Sequence, residues 1–114
     1  MKLTVDSKWR RTLAWLRREF PLDKKVRVRQ LNMKDQGSCD YVNHRFEIEV
    51  RKQCFNLRVD TLLHEYAHAL TWFGNDGDPH GPEWGLMFAK LYRSWITWNY
   101  GLGLVDEDSD ETCV

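Results

Sequence analysis

Five residues, His64-Glu65-Tyr66-Ala67-His68, constrain this chain more than any others. They lie in the apolar run Leu62 to Leu70, where a helix is the expected form. On a helix His64 and His68 stand one turn apart on the same face. Two imidazoles so placed can hold one Zn²⁺, and Glu65 between them is positioned to act as a general base toward water. A catalytic zinc site wants a third protein ligand and leaves a fourth position open. The plainer reading, a solvated helix face carrying these residues by accident, fits poorly with so apolar a setting.

The 114 residues suit one domain with a single core. A content of 42% hydrophobic and 30% charged residues excludes disordered and membrane classes. No apolar run approaches the roughly 18 residues that span a bilayer, so no membrane partner is expected. Met1 to Arg11 lacks the apolar core of a signal peptide, which predicts an intracellular, cytoplasmic protein. Cys39, Cys54 and Cys113 are widely spaced and odd in number, so free thiols are expected and any metal falls to histidine. The zero net charge conceals a split: residues 1–58 hold 15 of the 17 Lys and Arg against 7 acids. Such a basic half could meet an anionic partner, or simply attract the acidic half.

Taken in order, Asp6 or Ser7 can cap a first helix reaching Phe20, with Trp9, Leu13, Leu16 and Phe20 as its apolar stripe. Lys25 to Leu31 alternates as a half-buried strand with a cationic outer face. Cys39 to Val42 and Arg45 to Val50 read as two further strands joined by a tight turn at Asn43-His44. Asn56 can cap the motif helix, expected from Leu57 to Phe73 with Gly74 at its end. Asn75 to Pro79 is dense in turn formers. Pro82 opens a third helix, expected to reach Trp98, with Trp84, Phe88, Leu91 and Trp95 as its core stripe and Asn99-Tyr100-Gly101 as its stop. Trp9, Trp84 and Trp95 are read as core, while Trp15, Trp72 and Trp98 are left open. The domain is expected over residues 1–104, and the acidic stretch 105–114 is expected to be a disordered tail.

His80 follows the reversal after the motif helix and could swing back over His64 and His68 as the third ligand. Glu83 is the alternative metal ligand, because a helix-borne glutamate also serves zinc hydrolases. His64-Glu65-Tyr66-Ala67-His68-Ala69, followed by His80-Gly81-Pro82-Glu83-Trp84, resembles the SprT-like (Spartan-type) zinc metalloprotease domain over roughly Leu57 to Trp95. The resemblance implies a compact α+β zincin-like domain: an N-terminal helix, a small three-stranded sheet, the motif helix and a following helix. It implies zinc held by His64, His68 and His80, Glu65 as the catalytic residue, and Glu83 as a helix residue outside the ligand set. It also implies peptide-bond hydrolysis in a protein or peptide substrate, with DNA as a candidate partner, since the family's best-known task is cutting proteins crosslinked to DNA.

Three further expectations attach to that function. Arg45, Phe46, Glu47, Ile48, Glu49 and Val50, if an edge strand beside the cleft, could pair with an extended peptide. Arg10, Arg11, Arg17, Arg18, Lys24, Lys25, Arg27 and Arg29 are the candidate nucleic-acid contacts. Tyr66, Tyr92 and Tyr100 are the tyrosines available to assist at the oxyanion. The competing class is a non-catalytic, zinc-stabilised nucleic-acid-binding or interaction module. Glu65 weighs against it, because a structural zinc has no use for a general base.

Overall fold

A computed structural model of the chain describes residues 4–74 and 78–102. Its elements run α1 (Val5–Glu19), β1 (Lys25–Leu31), β2 (Gly37–Val42), β3 (Arg45–Arg51), α2 (Phe55–Leu70) and α3 (Pro82–Leu102). This is the expected α+β order. The acidic stretch 105–114 lies outside the described residues, as do residues 75–77 of the expected reversal.

Local chemistry moves several boundaries. Thr4, not Asp6 or Ser7, caps α1, its hydroxyl accepting from the Ser7 amide at 3.1 Å. Asp6 instead falls in the first turn, where the positive helix end favours a carboxylate. The α2 cap is Cys54, without a side-chain cap bond, so Asn56 sits inside the helix. At its far end Thr71 donates to the Ala67 carbonyl at 2.8 Å. Helix α3 runs through Gly101 to Leu102, since one glycine costs a helix only about 1 kcal/mol. Cys39 is a free thiol, as expected.

The sheet order is β1-β3-β2, with β1 parallel and β2 antiparallel to β3. Asn43 and His44 form the β2–β3 turn with φ of 52° and 63°, the left-handed pair that a two-residue hairpin twist demands. Arg45, Phe46, Glu47, Ile48, Glu49 and Val50 therefore do not form a substrate edge: β3 is the central strand, paired on both sides. Alternation cannot reveal this, because a central strand in a half-buried sheet alternates just as an edge does. Its outward carboxylates find partners within the sheet. Glu49 pairs with Arg29 of β1 and accepts from Ser38 of β2, and Glu47 pairs with Arg45 at 2.7 Å. The free edges of the described sheet are β1 and β2.

Phe46, Ile48 and Val50 point inward and are buried on the side packed against α2, with Tyr41, Trp72 and Phe73 against the Phe46 ring. Helix α2 is the hub: Val59, Leu62, Leu63 and Ala67 are all inaccessible to solvent, so truncating either leucine to alanine would cost about 2–5 kcal/mol. Helix α3 covers α2 through Leu91 and Trp95. Helix α1 contributes Trp9, Trp15 and Leu16, and Trp15 stacks on Trp98 at 5.1 Å. Tyr66 ties α2 to the end of α1, its buried hydroxyl donating to the Phe20 carbonyl at 2.6 Å. Burial pushes that phenol up to about 12, so it remains a donor. Tyr66→Phe strands the carbonyl and is expected to lower unfolding free energy by about 1–2 kcal/mol; denaturant titration of the two proteins measures the difference.

Candidate metal centre

Helix α2 is buried on nearly every side, and past its first turn, apart from Leu70 at its end, the half-buried residues form the strip Asp60, His64 and His68 at successive turns. The chain then reverses, and Asp78 seats the next segment: its carboxylate accepts from the His80 amide and its carbonyl from the Gly81 amide, both at 3.1 Å. Pro82 starts α3 directly afterwards, so His80 is held at the helix mouth over the α2 strip.

Three imidazoles consequently converge. His64 Nε2 lies 3.2 Å from His68 Nε2 and 3.4 Å from His80 Nε2, and all three ligand atoms lie within 4.8 Å of one another. Nitrogens bound to one tetrahedral zinc at about 2.0–2.1 Å stand about 3.3 Å apart, so the spacing fits that ion. The protonation tendency agrees. Burial, reinforced by His64 and His80, pushes His68 down to about 4, and burial with His80 lowers His64. Neutral imidazole is the ligating form. A hydrogen bond that the His68 ring donates to the Pro79 carbonyl opposes the shift and orients the ring.

Trp84 braces the group. Its indole stacks on the His68 ring at 5.4 Å, meets His64 and His80 edge-on at 4.8 and 4.9 Å, and donates to the His64 carbonyl at 3.2 Å. Phe88 stacks behind it at 5.2 Å. The apolar spacing that marked Trp84 as core also places it here, one turn after His80, and only the meeting of two helices distinguishes the roles.

Glu65 points off the same strip and is only 8% exposed. Burial, then the charge of Asp40, pushes its carboxyl up to about 7. Beside it runs β2, brought close by Gly37. A Cβ at Gly37 would stand 2.5 Å from Thr61 Cγ2, 2.8 Å from the Glu49 carbonyl oxygen and 3.4 Å from Glu65 Cγ. Glycine there lets an edge strand graze the helix next to the carboxylate. The strand expected from sequence starts at Cys39, two residues after Gly37, and a glycine just before a strand was the available signal. A cleft of about 830 Å³ opens between α2 and α3, with His64 and Glu65 in its wall.

Other candidates fall elsewhere. Glu83 sits over Gly74, where an added Cβ would come within 2.5 Å of its Oε2, and it lines a separate cleft. Among the described residues the metal-capable group comprises the three histidines without it. Tyr66 is occupied in the core, Tyr92 lines the large cleft, and the Tyr100 side chain lies outside the described residues. Arg10, Arg11, Arg17 and Arg18 are exposed along α1, with Lys25 and Arg27 exposed and Lys24 and Arg29 half-buried near β1. Arg17 donates to the Val26 carbonyl, Arg18 pairs with Glu19, and Arg29 with Glu49.

A small α+β domain that gathers three histidines about a glutamate-bearing helix belongs to the class of zinc-hydrolase-like folds. The SprT-like family model matches residues 7–98, and the chain belongs to that family. Membership implies a metallopeptidase, and the histidine triad, which could hold a metal ion, is consistent with it. No curated protein matches the chain. No described helix is long and apolar enough to cross a membrane. His80→Ala is expected to drop bound zinc from about one equivalent to well below half after dialysis, while Glu83→Ala retains it; elemental analysis of both variants reads the outcome.

Proposed function

We propose that this chain is a zinc-dependent metallopeptidase that hydrolyses peptide bonds with a water activated by Glu65. The observation that carries the reading is the convergence of three imidazole nitrogens, with one of the three, His64, sharing a cleft wall with the buried carboxylate of Glu65. His64, His68 and His80 would hold the ion. Zinc bound there would supply Lewis-acid polarisation of the scissile carbonyl and acidify water. The rest falls to the chain's own groups.

Glu65, with its carboxyl raised toward neutrality, is matched to taking a proton from the attacking water and passing it to the leaving amine. With an ion held by the three histidines that value would fall, leaving the Glu65 carboxylate ionised and able to accept. Peptide alignment falls to β2, whose outer edge is unpaired in the described sheet and runs past Glu65. An extended substrate can add to that edge through main-chain hydrogen bonds. Tyr92, on the opposite wall, is kept protonated by Asp60 and by burial, and so is a hydrogen-bond donor within the cleft.

Glu65→Gln is expected to keep its zinc but lose about 10²–10⁴-fold in kcat/KM on an unfolded protein substrate. Undiminished cleavage by that variant overturns the mechanism, and chelation should abolish wild-type cleavage.

DNA is the proposed recruiting partner, through the exposed cations Arg10, Arg11, Lys25 and Arg27. Arg29, tied to Glu49, contributes less. With about four phosphate contacts, duplex affinity should fall about 150-fold between roughly 50 and 200 mM salt. Fluorescence anisotropy reads the slope, and absent or salt-insensitive binding leaves these residues as a solvated face.

A further inference from the structure

The cleft between α2 and α3 has walls of different kinds. The α2 side carries the chemistry, with His64 and Glu65. The α3 side is one helix face, on which Gly85, Phe88, Ala89, Tyr92, Arg93 and Ile96 recur at intervals of three and four, apolar but for the Arg93 head and the Tyr92 hydroxyl. Two of these are the smallest residues available, one turn apart, and two aromatic rings flank them. At Gly85 an added Cβ would meet no atom within 4 Å beyond its own stretch of helix. The space is open, not occupied by a neighbouring element.

We infer that Gly85 and Ala89 form the floor of a side-chain pocket, walled by Phe88, Tyr92 and Ile96, that selects a bulky apolar residue next to the scissile bond of the substrate. This rests on the proposed peptidase reading and adds its specificity. The position next to the scissile bond follows from shared lining: a side chain in this cleft is already against His64 and Glu65. The occupant's backbone follows from β2, whose edge passes Glu65 at Gly37, so a peptide added there projects alternate side chains toward and away from the cleft. Its apolar character follows from the walls. Each methylene buried against such a surface is worth about fourfold in affinity. Asp60, half-buried on the α2 side of the same cleft, supplies the competing possibility of a lysine whose stem lies on the apolar wall and whose head meets the carboxylate.

Labelled hexapeptides of glycine and serine with one varied residue separate these. Binding to zinc-loaded Glu65→Gln protein, read by anisotropy, should favour phenylalanine and leucine peptides at least tenfold over alanine, aspartate and lysine. Gly85→Leu fills the floor and should cut the phenylalanine-to-alanine ratio at least tenfold. Its thermal midpoint should not fall, because leucine is the better helix former and the site is open. Ala89→Leu provides the same test one turn on, should Gly85→Leu misfold. Equal binding of all five peptides, a preference for lysine, or an unchanged ratio in a folded variant overturns the pocket. Cleavage of casein by the wild-type protein reports separately on the peptidase. Selective binding without cleavage keeps the pocket and loses the reaction; cleavage without selectivity keeps the reaction and loses the pocket.

Discussion

Everything in this molecule depends on how completely α2 is buried. The sheet covers one side through Phe46, Ile48 and Val50, and α3 covers another through Leu91 and Trp95. Beyond its first turn the helix keeps one strip partly open, and His64 and His68 lie on it. A helix held this way cannot roll, so the imidazoles are aimed by core packing and not by their own rotamer preferences. The apolar contacts of Leu62, Leu63 and Ala67 stabilise the fold and position the site at once.

The remaining pieces are brought to that strip by short, geometrically strict connections. Asp78 fixes the backbone at His80, and Pro82 commits the chain to α3 immediately after it. Trp84 then lies against all three histidine rings, a second layer that limits their movement. On the other flank Gly37 removes the side chain that would hold β2 away from Thr61 and Glu65. Helix α2 thus supplies two metal-capable nitrogens and the buried carboxylate, the mouth of α3 brings the third nitrogen, and β2 passes beside the carboxylate.

Much of this was legible in the chain. The His64, Glu65 and His68 spacing, the helical stripes of α1 and α3, the strand alternation of β1 and β3 and the Asn43-His44 turn all depend on periodicities of 3.6 and 2 or on local backbone chemistry. Such signals reside in neighbouring residues and survive without tertiary knowledge. His80 and its Gly81-Pro82-Glu83-Trp84 sequel were legible as a family resemblance. What failed was relational. Arg45 to Val50 alternates whether it is an edge or a centre, and only the parallel pairing of β1 onto β3 made it central. Trp84 has core spacing whether it faces leucines or histidines.

By itself the sequence determined the elements, the two histidines on one helical turn and the glutamate between them, because helical geometry relates residues three and four apart without outside help. Only the tertiary structure decided that His80 joins the pair while Glu83 turns toward Gly74, that β2 and not β3 offers its edge beside Glu65, and that Gly85 opens onto the cleft. Those are distances between elements far apart in the chain, set by packing, which no local period encodes.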